Sequence, residues 1–266
     1  MRRWIAAGWM LAVAVATGSP ALAQADLAKA LAELTALSSK VGSADTRTRV
    51  DAMHRVRLIA LSRADVDVKL KALELLRQPV GSSSDHIRIP AVYAIAEIAN
   101  SSADAKVKLT AVNAFAAPLD SGQGEIRNAT IDALNSITRN PADPALASAA
   151  VAVLAAPMRS GVNGVRMPAI NALVQAVVGK LNSAASQQAI ELLKQPLDSS
   201  AAIGGMEVRM MAVAAVETIG IDAPDIQAKA KAMGLLMTYA DKGSWEAEAK
   251  ARARAAADRV QATISK

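Results

Sequence analysis

Apolar residues recur along this chain at helical spacing, and the recurrence is itself periodic. Ile87, Ala91, Val92, Ile95 and Ile98 stand at steps of three and four, which places them on one stripe of a helix. The same stripe returns in IRNATIDALNSIT from 126, VRMPAINALVQAV from 165 and VRMMAVAAVETIG from 208. Each copy opens on an arginine: Arg88, Arg127, Arg166 and Arg209, with Arg49 before them, at steps of 39, 39, 39 and 43. Three further columns keep this register. Pro79, Pro118, Pro157 and Pro196 form one, and Ser43, Ser82, Ser121, Ser160 and Ser199 form another. Asp26, Asp65, Asp104, Asp143 and Asn182 form the third, with Asp225 coming 43 later. The extra residues of the long step lie between Pro196 and Arg209. Residues 24–266 therefore read as one repeat domain of six units starting near 26, 65, 104, 143, 182 and 225. No stretch remains for a separate catalytic domain.

Each unit predicts two helices. The Asp/Asn column stands where an N-cap belongs, since its side-chain oxygen can accept the free N–H groups of a first turn. Asp143-Pro144 is the clearest instance, an N-cap followed by proline at the first helical position. Segments such as VKLKALELLRQ (68–78) supply the first helix, and the Pro column marks where it stops or kinks. A Ser/Gly-rich turn follows, and the second helix begins near the arginine. Counted from that arginine as column zero, columns −1, 3, 4, 7 and 10 are apolar or small. Columns 1, 5, 8 and 9 vary and are often polar, so they are expected to face away from the core. One helix pair cannot bury such a stripe, but a stack of pairs can.

The paired-helix unit of about 40 residues, the [VI]-R-x-x-A-[VI]-x-A-[LIV] opening of the second helix and the proline near the end of the first resemble the HEAT-repeat family. The resemblance spans residues 26–266 and implies an all-α, right-handed α-solenoid of about six helix pairs. It further implies a concave surface lined by the second helices and a role in holding other proteins. Six pairs at roughly 10 Å spacing make a rod about 60 Å long. The chain departs from the family pattern in two places. The turn between helices is rich in Ser and Gly where the family often carries an aspartate that pairs with the arginine. In the sixth unit Lys250 replaces the arginine and Tyr239 the proline, and the charged AKARARAAADRV suits a terminal cap. DLAKALAELTAL suits the cap at the other end.

The first 23 residues predict something different. Arg2 and Arg3 precede an apolar run from Ile5 to Ala16. Gly18 and Pro20 break it, and Ala21-Leu22-Ala23 offers small residues before a cut. This is the pattern of a cleaved secretory signal, with the mature chain expected to start at Gln24, and Ala23-Gln24-Ala25 allowing a cut two residues later. The run is short of the roughly 20 residues that span a bilayer. A periplasmic location in a bacterium is the expectation, with secretion beyond it open.

Composition narrows the function classes. The 266 residues contain no cysteine and two histidines, which removes disulfides, thiol nucleophiles and Cys-ligated metals. His54 and His86 occupy different columns and neither has a metal-ligand partner at helical spacing, so no metal or cofactor is expected. No phosphate loop, nucleophile elbow or recognisable acid pair occurs, and no enzymatic activity is expected. The net charge of +6 is mild and evenly mixed with acids, and aromatics make up 2% of the chain. Both disfavour nucleic acid.

What remains is surface. Column 5 carries His54, Tyr93, Asp132, Asn171 and Ala214; column 8 carries Arg57, Ala96, Asn135, Val174 and Glu217. Together they line successive second helices and form the candidate partner strip. Met167 and Met210 in column 1, in a half that holds seven of the ten methionines, extend it with adaptable thioethers. Three functions fit. A scaffold or assembly factor would hold a protein on this strip. An electrostatic adaptor would meet an anionic envelope lipid or polymer through Arg47, Arg55 and Arg57. A cofactor-binding or enzymatic solenoid would need a pocket with converging polar groups. The arginine column borders the packed face, so a structural role is expected for it.

Overall fold

The computed structural model describes residues 20–120, 124–138, 144–178, 182–198, 205–243 and 245–265, with side chains from Gln24 onward. Most of the leader lies outside these residues, as do Asp143, Ser121 and Ser199 of the repeat columns. The described residues are helical and contain no strand. The helices are α1 (Pro20–Val41), α2 (Thr46–Leu61), α3 (Val66–Val80), α4 (Asp85–Asn100), α5 (Ala105–Ala114), α6 (Ala116–Asp120) and α7 (Gly124–Thr138). They continue with α8 (Pro144–Met158), α9 (Asn163–Val177), α10 (Ser183–Leu192), α11 (Lys194–Leu197), α12 (Gly205–Asp222), α13 (Ile226–Ala240) and α14 (Ala247–Ile264).

These form six pairs stacked as an all-α repeat solenoid. First helices pack on first helices, α1 on α3, α3 on α5, α5 on α8, α8 on α10 and α10 on α13. Second helices make the other layer, α2–α4–α7–α9–α12–α14, each touching the next. Between the layers, the predicted stripe is the core. Ile87 is buried, and Ala91, Val92, Ile95 and Ile98 are wholly inaccessible.

The proline column works by a visible mechanism. Proline lacks an N–H and clashes with the carbonyl four residues earlier. α5 ends at Ala114, four before Pro118, and α10 ends at Leu192, four before Pro196. The chain resumes after one residue as the short α6 and α11. In α3 and α8 the helix runs through Pro79 and Pro157 unbroken and ends at the next residue. The proline therefore sits within the last turn rather than after it.

The polar columns build the turns. Asp104, Asn182 and Asp225 cap α5, α10 and α13 through their side chains. Asp65 stands at the α3 N-cap position but makes no side-chain cap bond. Asp26 departs from the expectation: it lies inside α1, which begins at Pro20, because the alanine-rich stretch before it extends the helix. In the turns between paired helices, serine accepts the N–H two residues on, Asp45 to Ser43 at 3.1 Å, Ser84 to Ser82 at 3.3 Å and Val162 to Ser160 at 3.2 Å.

The arginines tie these turns together. Arg49 donates to the Ser43 carbonyl at 2.8 Å and to Ser82 Oγ of the next unit at 3.4 Å. Arg88 and Arg127 are each 8% exposed. Arg88 pairs with Asp85 one turn before it, and burial lowers the Arg127 pKa. Arg166 is half-buried in the same register. Arg209, 3% exposed, reaches into the sixth unit. It donates to Glu246 Oε2 at 2.6 Å and lies 5.8 Å from the centre of the Trp245 ring. That ring packs on Tyr239 at 4.8 Å, so the proline replacement in the sixth unit is an aromatic plug. Burial first, then Asp198, raises the Tyr239 pKa.

Candidate functional site

The second-helix layer presents its column-5 side chains to solvent. His54, Tyr93, Asp132 and Asn171 are exposed and Ala214 is half-exposed. Tyr93, the largest side chain on the strip, keeps 48% of its surface accessible.

Column 8 differs from the expectation. It does not face away: Ala96 and Glu217 are buried, and Arg57, Asn135 and Val174 are half-buried. The reason is the step between neighbouring helices, which sets column 8 of one unit against column 9 of the next. Arg57 makes a two-pronged ion pair with Glu97, one arm at 2.6 Å. Glu217 pairs with Arg259, and with Arg252 at 3.2 Å. The Arg57 hydrogen bond holds the Glu97 pKa below its ordinary range, and Arg259 does the same for Glu217. Arg57 and Glu217 are thus seam residues whose charges are already matched. Nearer the middle the seams use neutral groups. Asn100 donates to Ser136 Oγ at 3.0 Å, and Asn135 Oδ1 is buried with no hydrogen-bond partner among the described residues.

Two grooves open between these helices. One, of about 290 Å³, is lined by Val50, Met53, His54 and Arg57 of α2 and by Pro90, Tyr93, Ala94 and Glu97 of α4. The other, of about 270 Å³, lies between α9 and α12, with walls including Ile170, Asn171, Val174, Met211, Ala214 and Ala215. In column terms they coincide: columns 4, 5 and 8 of one unit face columns 2, 5, 6 and 9 of the next. Column 6 supplies the floor. Ala94, Ala133, Ala172, Ala215 and Ala256 recur there and all are buried. The alanine column alone does not mark the grooves, since only Ala94 and Ala215 of it line them, and its meaning depends on which two helices meet over it.

The remaining candidates scatter. Met167 and Met210 are half-buried and pack against the core, and it is Met211 that reaches the groove. Of the N-terminal cations, Arg55 pairs with Glu33 at 3.2 Å and Arg63 lies 3.9 Å from Asp26, while Arg47 is exposed. His86 is exposed in the first turn of α4, far in register from His54. Among the described residues no group of three or more His, Asp or Glu could hold a metal ion. None of their helices is long and apolar enough to cross a membrane.

A cleft of about 700 Å³ lies at the opposite edge, where the turns after α2 and α4 meet. Lys69, 4% exposed, lines it. Its ammonium donates to the Ser101 carbonyl at 3.0 Å and to Ser101 Oγ at 3.2 Å, at the C-terminus of α4. A cation there answers the negative end of the helix dipole, so this lysine ties one unit to the next.

No protein-family model matches this sequence, and no curated protein matches it. Solved structures do. The karyopherin Kap121p, bound to the extreme C-terminus of the protein phosphatase Cdc14p, matches with a TM-score of 0.57 at 15% identity. That match covers 87% of this chain and 25% of the karyopherin. An archaeal HEAT-like repeat protein from Thermococcus onnurineus NA1 matches with a TM-score of 0.48 at 16% identity, over 90% of this chain and 93% of the other. A designed armadillo repeat protein matches with a TM-score of 0.46 at 21% identity, over 85% of this chain and 99% of the other. The likeness is one of fold: a helical-repeat solenoid.

Proposed function

We propose that this chain is an exported scaffold or assembly factor that holds a protein partner along the surface of its second helices. One observation carries the reading: column 5 is exposed in the first four units that bear the arginine and half-exposed in the fifth, beside two grooves built from the same columns. A layer of packed helices offers rigid, evenly spaced positions, which keeps the entropy cost of binding low. Tyr93 is its natural anchor, an aromatic ring standing half out of an apolar groove. The karyopherin that shares this fold is bound to a protein C-terminus, which agrees with such a use. Export is part of the proposal and rests on the leader residues.

The test is the double change Tyr93→Lys with Asn171→Lys. Purified protein is cross-linked in envelope extract, and the retained partner is identified by mass spectrometry. The wild type is expected to retain one partner at high salt, and the double variant to lose it with helicity and melting unchanged. Equal retention by both would remove this surface as the binding site. N-terminal sequencing of protein recovered from the envelope tests export, with Gln24 expected as the first residue.

A further inference from the structure

Charge and spacing on the strip narrow the partner's chemistry. Columns 5, 8 and 9 of the five arginine-bearing units hold Arg57, Glu97, Asp132 and Glu217 as charged side chains. Three of these are consumed in the seam pairs described above. Asp132 is exposed and makes no ion pair among the described residues. It belongs to the third unit, midway between a groove shared by units one and two and a groove shared by units four and five. Val50, Met53, Pro90 and Ala94 give one groove an apolar wall beside His54, Tyr93 and the Arg57–Glu97 pair, and Ile170, Val174, Met211 and Ala215 give the other an apolar wall beside Asn171, Gln175 and Thr218. The strip therefore reads apolar, anionic, apolar.

Spacing sets the conformation that can use all three. Packed helices lie about 8–10 Å apart, so consecutive units advance by about that much. A polyproline-II chain turns once every three residues and rises about 9.3 Å in doing so. Such a chain keeps step with the units and returns the same face to each. A β-strand does not, because three residues per unit reverses its alternating faces each time. The two grooves are three units apart, hence about nine residues of such a chain. Asp132 borders the two inter-helix positions between them, three and six residues from the first groove.

We infer that the surface takes an extended polyproline-II segment of a partner protein, with apolar side chains nine residues apart and a lysine or arginine three or six residues after the first. This rests on the binding reading of the same surface. An apolar side chain fills each groove, and the cation meets Asp132.

A random twelve-residue peptide library displayed on phage and selected on the whole protein tests it. The expected result is enrichment of that spacing with a basic residue at the third or sixth step. Selection on Asp132→Lys is expected to replace the base with Asp or Glu at the same steps. For a synthetic enriched peptide, Asp132→Asn is expected to weaken binding about threefold, the scale of one exposed ion pair. Enrichment without the spacing, no switch of charge with Asp132→Lys, or no enrichment at all overturns the inference. Peptides lost on Tyr93→Lys with Asn171→Lys but lacking the pattern overturn the inference and leave the binding surface standing. Peptides indifferent to that double change bind elsewhere and sink both.

Discussion

Gly220 offers a sharp test of the packing. It lies on α12, and a Cβ added there would stand 2.6 Å from the Ala232 Cβ of α13 and 3.1 and 3.2 Å from the Val260 methyls of α14. Carbon atoms rest at about 3.5–4.0 Å, so roughly 1 Å is missing. The Ala232 methyl is fixed to its backbone and cannot rotate aside, so the helices themselves must part. Overpacking of this kind costs about 1–3 kcal/mol. Alanine over glycine in a helix returns about 1 kcal/mol. The net expectation for Gly220→Ala is a loss of about 0–2 kcal/mol. Gly234 in α13 is the control, since nothing lies within 4 Å of its added Cβ and only the helix term acts. Gly234→Ala should stabilise by about 1 kcal/mol. Urea unfolding of protein lacking the first 23 residues reads both, by circular dichroism for the whole chain and by Trp245 fluorescence for the last unit. Adding Ala232→Gly to Gly220→Ala should recover part of the loss, with a coupling of about 1 kcal/mol. Equal stabilisation by Gly220→Ala and Gly234→Ala would show that α12 and α13 do not meet as described.

Other perturbations separate look-alike residues. Asn182→Ala removes a cap bond to Ala185 N and a 2.6 Å bond to the Pro144 carbonyl, and should cost about 1–2 kcal/mol. Asp65→Ala, at the same column without a cap bond, should cost less than half of that in the same urea titration. Glu217→Gln releases Arg252 and Arg259, both able to turn to water, and should cost about 1 kcal/mol, read most strongly by Trp245. Acid should act through the same pairs. Glu97 and Glu217 have folded pKa values lowered by their arginines, so their contribution is complete above the unfolded carboxylate value of about 4.3. It is lost as pH falls through the lower folded values, so the melting temperature should hold from neutrality to about pH 5 and drop below about pH 4. An equal drop in a protein carrying Glu97→Gln and Glu217→Gln would dissociate the acid response from these seams.

The register of 39 carries the fold because it is a property of one unit repeated. Once Arg88 is aligned with Arg127, the helix pair, its turns and its core stripe follow from local rules. What fails to follow depends on two units at once. Arg57 and Glu97 stand 40 apart and Glu217 and Arg259 stand 42 apart, offsets that have no meaning until the step between neighbouring helices is known. Column 8 was therefore read as free surface when it is seam. The grooves were missed for the same reason, since each takes half its wall from either unit. The column-5 residues were legible as exposed because solvent exposure on one helix is decided mostly by that helix. Asp26 was misread because an aspartate caps a helix only if the chain before it is not helical, and here α1 starts six residues earlier.

The buried alanines have a thermal consequence. Columns 3 and 6 are alanine in most units, and Phe115 is the one wholly buried aromatic ring among the described residues. Alanine orders on folding with no loss of rotamer freedom, so such a layer holds together with little area and no side-chain entropy cost beyond that of the backbone. Less apolar area is then exposed on unfolding, and the heat-capacity increment should fall below the usual value of about 12–15 cal/mol/K per residue. A small increment flattens the curve of stability against temperature. The rod should stay nearly as firm in the cold as in warmth, and scanning calorimetry of the intact protein measures the increment directly.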